Sequence, residues 1–344
     1  MGVTLSEVAR HAGVSPATAS RALNGSARAV GQELADRVRA SAAELGYLPN
    51  AAAQALARST TAHVGLLLPD IGDPAGAAIA RGVSGAAAAA GLLPLLVETD
   101  GDPDAQLRGI LALRGQRVRA VVLAGSAFTD PAAARAIDAA LAAYRADGGR
   151  VAGITEQGAE HACVLPESEA GAAALARTMA GLGHRRFAVI AGPRRYRVSA
   201  DRLAGVRSAL TEAGIGLGPQ DVRHAEPTRA GGRRAIADLL DGRPVERWPS
   251  CVLALADLCA TGVLAELRER GVPVPGRISV AGFEDLPSAA DLVPALTTVR
   301  LPLEQLGSEA VRLALADPPP GVAPARLRLP ARVVLRASTG APPR

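Results

Sequence analysis

Two groups of side chains in this 344-residue chain could do chemistry. The first group lies close together in sequence and offers hydroxyl, amide and guanidinium groups: Ser15, Thr18, Ser20, Arg21 and Asn24. The second group consists of polar residues that follow apolar runs, together with three neighbouring arginines: Asp73, Ser126, Arg194, Arg195, Arg197, Asp257 and Glu284. Groups of the first kind suit hydrogen bonds to phosphates and base edges of nucleic acid. Groups of the second kind suit a small polar ligand at the carboxyl ends of strands.

Composition argues against catalysis. The chain has no lysine, so all 38 basic residues are arginine, which excludes a Walker A phosphate loop and Schiff-base chemistry. There is no GxSxG nucleophile motif. The histidines are scattered without the spacing of metal ligands: His11, His63, His161, His184 and His224. We therefore expect neither an enzyme nor a metal site, and no cofactor is implied.

The net charge of +5 and the pI of about 9.8 permit a nucleic-acid partner. Three cysteines without CxxC spacing predict buried, reduced thiols. The polar residues 1–13 do not resemble a secretory signal, and no uncharged apolar run reaches the roughly 18 residues of a membrane span. These features predict a cytoplasmic protein with no membrane partner.

The N-terminal residues predict three short helices. Thr4-Leu5-Ser6-Glu7 has the pattern of a capping box, and Gly13 can take the positive φ of a turn. Ser15 is a candidate N-cap and Pro16 suits the first helical position, which predicts a second helix over residues 16–23. A third helix is predicted over residues 32–45. Two helices joined by a tight turn and supported by a third are typical of a helix-turn-helix.

Beyond Pro49 the chain alternates apolar β-rich runs with Ala-rich helical stretches. The runs are residues 64–68, 93–97, 120–124, 151–154, 187–191, 251–255 and 279–281. They are almost continuously apolar, as buried parallel strands are. Their spacing predicts βαβ units. Because about 280 residues exceed one doubly wound domain, we expect two parallel-sheet subdomains with a cleft between them.

Several segments together resemble the lactose-repressor (LacI/GalR) family. Residues 4–24 resemble the family's helix-turn-helix, and Glu44-Leu45-Gly46-Tyr47-Leu48-Pro49-Asn50 resembles the end of its DNA-binding headpiece. Core motifs follow in the family's order: Val64-Gly65-Leu66-Leu67-Leu68-Pro69-Asp70, Ala256-Asp257-Leu258, Gly282-Phe283-Glu284-Asp285 and Leu296-Thr297-Thr298-Val299. The resemblance implies a transcriptional regulator, expected to be a repressor, with an all-α headpiece and a periplasmic-binding-protein-like α/β core.

The resemblance also implies boundaries. Residues 1–48 form the headpiece, 49–61 the hinge helix and linker, and 62–344 the effector-binding and dimerisation core. Within the core we expect an N-subdomain over about 62–160 and 291–322. The C-subdomain is expected over about 161–290 and 323–344. A homodimer is expected to bind a pseudo-palindromic DNA operator, because the formal charge of +2 on residues 1–60 is modest for one headpiece.

Roles on DNA follow for individual residues. The second helix is expected in the major groove, where Arg21 suits guanine, Ala17 a thymine methyl group and Pro16 shape alone. Side chains expected near the phosphates, or capping the helices that face them, are Thr4, Ser15, Thr18, Ser20, Asn24 and Asn50. The resemblance makes Leu56, in the short hinge, the apolar wedge in the minor groove. Folding of this hinge on DNA is the expected switch.

The predicted effector pocket departs from the family. Asp73-Pro74-Ala75-Gly76 stands where sugar-binding members carry an amide and aromatics, Ala200 replaces a frequent arginine, and Glu284 replaces an aspartate. Arg194, Arg195 and Arg197 could bind a phosphate or carboxylate. The effector is therefore expected to be a sugar, a phosphorylated sugar or another metabolite. The alternatives are an atypical or lost pocket, a soluble sugar-binding protein, and an activator in place of a repressor.

Overall fold

A computed structural model describes residues 3–24, 30–48, 61–125, 127–155, 160–317 and 321–343. They form two compact units, a small helical unit at the N-terminal end and a larger α/β unit. Among these residues, every helix is too short or too polar to cross a membrane.

The helical unit contains α1 (Leu5–His11), α2 (Pro16–Asn24) and α3 (Gln32–Glu44). All three predicted helices are confirmed, and the ends of α2 and α3 lie within one residue of the prediction. The capping box is also present, since the Thr4 side chain accepts from the backbone of Glu7 and the Glu7 carboxylate accepts from the backbone of Thr4. Gly13 has a φ of +67° in the turn between α1 and α2. The core is built mainly from small side chains: Val8, Ala9, Ala12, Ala19, Ala22, Ala35, Val38 and Ala42.

The N-subdomain of the α/β unit is a six-stranded parallel sheet in the order β11-β5-β4-β3-β1-β2. Its strands are β1 (His63–Leu68), β2 (Leu93–Glu98), β3 (Ala120–Leu123), β4 (Arg150–Gly153), β5 (Ala162–Pro166) and β11 (Arg326–Leu329). Its helices are α4 (Pro74–Ala89), α5 (Pro103–Gly115), α6 (Pro131–Ala146) and α11 (Leu303–Leu315). Continuous apolar strands such as β1 and β3 are buried on both faces, as parallel strands between helices are.

The C-subdomain is a four-stranded parallel sheet in the order β7-β6-β8-β9. Its strands are β6 (Phe187–Ala191), β7 (Val222–His224), β8 (Cys251–Ala254) and β9 (Ser279–Ala281). The helices are α7 (Ser168–Gly181), α8 (Arg197–Glu212), α9 (Arg229–Leu240) and α10 (Asp257–Glu269). A separate antiparallel pair joins β10 (Thr298–Arg300) to β12 (Arg332–Val334). Cys163, Cys251 and Cys259 are buried and form no disulfide, as predicted.

The chain passes between the subdomains three times, near residues 167, 301 and 330. The structure corrects the expected boundaries here. Strand β5 pairs with β4, and β11 pairs with β5, so both belong to the N-subdomain sheet although they were assigned to the C-subdomain. Leu296, expected in the N-subdomain, packs in the core around β8 and β9. The sequence did not predict β11 because Arg326-Leu327-Arg328-Leu329 alternates at the sheet edge instead of forming an apolar run.

Glycines let two helices of the N-subdomain approach closely. A Cβ on Gly82 of α4 would lie 1.9 Å from the Glu304 carbonyl oxygen, and one on Gly307 of α11 would lie 2.2 Å from that of Ile79. Any larger residue would separate the helices. This contact places the middle of α4, at Ile79 and Gly82, against the beginning of α11, which starts at Leu303.

Candidate DNA-binding surface and ligand cleft

The second helix of the headpiece has one buried and one exposed face. Ala19 and Ala22 point into the core of the helical unit. Pro16, Ala17 and Arg21 are exposed on the other side. This arrangement follows from helical spacing, since residues three and four apart share a face. The exposed face is the one predicted to contact bases.

Hydrogen bonds fix the start of this helix. The Ser15 hydroxyl accepts from the Thr18 backbone N–H at 3.1 Å and lies 2.8 Å from the Thr18 hydroxyl. The Arg21 Nε donates to the Ala17 carbonyl at 3.1 Å, which leaves the guanidinium end exposed. Thr4 and Ser15 are therefore helix caps in this structure, and Thr18 and Ser20 are partly exposed beside them.

Four of the predicted site positions cannot be placed in full. Asn50, Leu56 and Ser126 lie outside the described residues, as does all of the predicted hinge and linker over residues 49–61 except Thr61. Asn24 is the last residue of α2, and its side chain is outside the description. Their expected roles stay predictions.

A cleft of about 330 Å³ lies between the subdomains at the carboxyl ends of their strands. Its floor is apolar and includes Ile79, Ile154, Leu301, Leu303 and Leu306. Its polar lining comes from loops that follow strands of both subdomains and, for Arg202, from helix α8. These residues are Asp70, Asp73, Asp100, Thr155, Arg195, Tyr196, Arg202, Glu226 and Glu284. The position agrees with the rule that ligands of parallel sheets bind at strand ends.

The centre of the cleft contains two carboxyl groups and one guanidinium. The Arg202 Nη1 donates to Glu284 at 3.2 Å and to the Leu255 carbonyl at 2.7 Å, and only 11% of the Arg202 side chain is exposed. Burial raises the pKa of Glu284 to about 7, although Arg202 opposes the change. Burial also raises the pKa of Asp73, and the neighbouring Asp70 charge adds to that rise. The Arg202 guanidinium stacks 4.2 Å from the centre of the Phe283 ring.

Glu284 is held in a strained backbone. Its φ is +114° and that of Asp285 is +58°, in the region that disfavours residues with a side chain. The Glu284 backbone N–H donates to the Val299 carbonyl at 2.7 Å, which fixes the loop against β10. Such strain at a binding wall persists only when the surrounding structure holds it.

Asp257 holds this loop from beneath. It is 1% exposed, and its carboxylate accepts from the Thr298 hydroxyl at 2.6 Å and from the Leu286 backbone N–H at 2.8 Å. Burial raises its pKa to about 6. The structure thus places Asp257 under the wall that carries Glu284, where it positions Glu284 instead of lining the cleft as expected.

The three arginines expected to form one anion site do not all line one cavity. Arg195 lines the cleft, but both of its terminal nitrogens donate to Glu226, at 2.8 and 2.9 Å. Arg194 shares a second depression on the C-subdomain with Arg195, whereas Arg197 lines a different cavity of about 460 Å³. The expectation fails because α8 begins at Arg197, which turns this side chain away from the direction of its two neighbours.

The backbone around these arginines joins the two subdomains. The Thr129 N–H donates to the Arg195 carbonyl and the Arg197 N–H to the Ala127 carbonyl, each at 2.9 Å. Tyr196 lies between them, and its hydroxyl donates to the Gly101 carbonyl at 3.2 Å. Phe128 packs against Tyr196 with ring centres 6.0 Å apart. The loop therefore spans the cleft by main-chain bonds.

Sequence reasoning missed Arg202 and Tyr196 as cleft residues. The frequent family arginine was thought to be lost at Ala200, but Arg202, two residues further along α8, supplies a guanidinium to the cleft. The missing aromatics were sought after β1, whereas Tyr196 enters from the opposite subdomain. Helical spacing along α8 could have predicted Arg202. It lies one turn after Val198, which also lines the cleft, so the two side chains share a face of the helix.

The helical unit with an exposed second helix and the two-subdomain α/β unit with a cleft together define a class: DNA-binding regulators that carry a ligand-binding core. Two family models match the chain in agreement with this class. Residues 4–50 match the bacterial regulatory proteins of the lacI family, and residues 176–339 match the periplasmic binding protein-like domain. Among the described residues, no group of three or more His, Cys, Asp or Glu side chains could hold a metal ion.

Known relatives match nearly the whole chain. It is 33% identical to the transcriptional regulator GalS of Salmonella typhimurium, over 91% of this chain and 89% of that one. It is also 33% identical to CelR of Thermobifida fusca, over 97% and 98%. The solved lac repressor dimer bound to operator and the anti-inducer ONPF is 26% identical, with a TM-score of 0.85 over 99% of this chain and 100% of that one. The chain belongs to the lacI family of bacterial regulatory proteins and is a DNA-binding transcriptional regulator.

Proposed function

We propose that this chain is a cytoplasmic repressor without catalytic activity, which binds a pseudo-palindromic operator as a homodimer under the control of a small molecule in the cleft. The solved lac repressor relative is a dimer on its operator. The solved CelR relative, 28% identical over 98% of this chain, holds cellobiose. The first precedent supports a dimer on its operator, and the second supports a sugar-like effector for the cleft.

The observation that carries the proposal is the exposed face of α2. Arg21 is exposed and anchored to its own helix through Nε, so its two terminal nitrogens remain directed outward, in the geometry that suits guanine O6 and N7. On the same face, Ala17 can contact a thymine methyl group, and Pro16 can contact the wall of the groove by shape alone. Thr18 and Ser20 at the edge of this face suit phosphates.

The proposal extends to the hinge. Asn50 is assigned to the DNA contact at the end of the headpiece, and Leu56 to the minor-groove wedge at the centre of the operator. Binding of an effector would then act by changing how the two subdomains close, and with it the pairing of the hinges in the dimer.

Selection of bound sites from random double-stranded DNA tests the proposal. We expect the full chain to enrich two inverted half-sites with a fixed spacing, because a two-fold symmetric dimer reads a two-fold symmetric sequence. The matched control is the Arg21→Ala variant, which should enrich the same sites poorly. Enrichment of a single unpaired half-site, or no enrichment, would contradict the proposed dimeric operator binding.

A further inference from the structure

The charges that line the cleft are unequal in sign. Its carboxylates are Asp70, Asp73, Asp100, Glu226 and Glu284, and its guanidiniums are Arg195 and Arg202. Arg195 is paired with Glu226 and Arg202 with Glu284. The three remaining acids, Asp70, Asp73 and Asp100, all belong to the N-subdomain wall, so the cleft keeps a negative field after its ion pairs are formed.

Two of the carboxyl groups face each other from opposite subdomains. Asp73 comes from the loop after β1, and Glu284 from the loop after β9. Both line the main cleft, and both also line an adjoining cavity of about 110 Å³. Arg202 also lines both cavities, and its Nη1 donates to Glu284. One guanidinium can balance only one of the two carboxylate charges, so a second positive charge or a proton beside them would lower their mutual repulsion.

We propose that the effector of this cleft carries a protonated amine that lies between Asp73 and Glu284. This inference rests on the proposed function, because it takes the cleft to be the effector site. An ammonium group has three donors and can bind carboxylates of both subdomains at once, which would favour the closed cleft. The apolar floor suits a carbon skeleton beside the amine, and a cleft of about 330 Å³ is near the lower end of ligand pockets, about 300–1,000 Å³. An aminated sugar fits these requirements.

An anionic effector does not fit this arrangement. Arg195 donates to Glu226 and Arg202 to Glu284, so an added phosphate would compete with a carboxylate for each guanidinium. It would also face Asp70, Asp73 and Asp100 of the N-subdomain wall. The neutral parent sugar could accept and donate hydrogen bonds at the rim, but it would bring no second positive charge to Asp73 and Glu284 beside that of Arg202. The expected order of affinity is therefore aminated, then neutral, then phosphorylated.

Titration calorimetry on the full chain near neutral pH tests this order. The probes are glucose, glucosamine and glucose 6-phosphate, with the galactose, galactosamine and galactose 1-phosphate series beside them. We expect at least one aminated sugar to bind about tenfold or more tightly than its neutral parent, and the phosphorylated sugars to bind most weakly. Asp73→Asn should abolish this preference, and its amide still caps α4 as well as the carboxylate does. Asp104→Asn, an exposed charge outside the cleft, should leave the preference intact.

Three outcomes would overturn the inference: equal or tighter binding of the neutral sugar, tighter binding of a phosphorylated sugar, or no binding of either aminated sugar at millimolar concentration. Operator binding by the same samples separates the two proposals. If the operator is bound but the aminated sugars show no preference, the charge inference alone fails. If no operator is bound, the proposed function fails.

Discussion

The second helix of the headpiece and the ligand cleft of the core are assembled in opposite ways. The helix takes its cap, its buried face and its exposed face from residues 15–24, all within ten positions. The cleft takes Asp73, Arg202 and Glu284 from loops and a helix that are more than 200 positions apart at the extremes. Local rules of capping and spacing therefore determine the first region, while the second depends on the packing of two sheets.

The comparison shows where family resemblance predicts the role of an individual residue and where it does not. In the headpiece, a residue in the motif has the position that the motif implies. In the cleft, the sequence places a residue only within a loop, and neighbouring side chains decide what it does. Asp257 lies in a family motif, yet Thr298 and Leu286 bind its carboxylate from 41 and 29 positions away, respectively, and make it a support for Glu284.

The largest expected effect comes from breaking the buried pair in the cleft. Arg202→Met leaves Glu284 without its cation in a site where both side chains are at most 15% exposed. We expect the free energy of unfolding to fall by about 3 kcal/mol, the lower end for a broken buried pair, because Glu284 can take up a proton. Chemical denaturation measures the change. Arg207→Met, an exposed arginine on the same helix, should change stability little, and equal losses in the two variants would contradict the pairing.

The next effect concerns the exposed face of α2. Arg21→Ala should weaken binding to the selected operator by about tenfold to hundredfold per half-site, because a bidentate contact to guanine is worth about 1–3 kcal/mol. Binding to random DNA should weaken far less. Fluorescence anisotropy with both DNAs measures the ratio. Arg37→Ala removes one exposed headpiece charge elsewhere and should lower both affinities alike. If Arg21→Ala also lowers both alike, Arg21 is a phosphate contact.

The two regions explain how much the sequence could predict. All three headpiece helices and seven core strands were predicted, because caps, glycine turns and continuous apolar runs are local. Strands β7, β10 and β12 were not, since each has only three residues, and β11 was not, since it alternates arginine and leucine at a sheet edge. Strand β5 was also missed, although it is a buried apolar run inside the sheet. In the cleft, Asp73, Arg195 and Glu284 were placed correctly at strand ends. The partner of Arg195, Glu226, could not be foreseen, because it arrives through the pairing of β7 with β6.

A smaller effect should appear as a pH dependence of the stability of the α/β core. Burial raises the pKa of Glu284 from 4.5 to about 7, with Arg202 opposing the rise and Asp73 and Asp257 adding to it. The folded state therefore binds this proton more tightly than the unfolded state. The stability that Glu284 contributes is fully present below pH 4.5 and is lost as the pH rises through 7.

Comparison with Glu284→Gln isolates this contribution, since Gln keeps the shape without titrating. Relative to the wild type, the variant should gain on the order of 2 kcal/mol in free energy of unfolding between acid and mildly alkaline pH. Denaturation curves across that range measure the difference. Glu246→Gln, which removes an exposed carboxylate, should show no such slope. A difference between wild type and Glu284→Gln that does not vary with pH would show that Glu284 stays ionised.

The smallest expected effect tests whether the local cap at Ser15 stabilises α2. Ser15→Ala removes the hydroxyl that accepts from the Thr18 N–H, so α2 should lose about 1 kcal/mol of stability. Faster hydrogen exchange of the Thr18 amide in the full chain reports this loss. Ser15→Gly should cost only a few tenths of a kcal/mol more than the native cap, because glycine leaves the amide open to water. Unchanged exchange in Ser15→Ala would mean that packing of Ala19 and Ala22, and not the cap, holds the first turn of the helix.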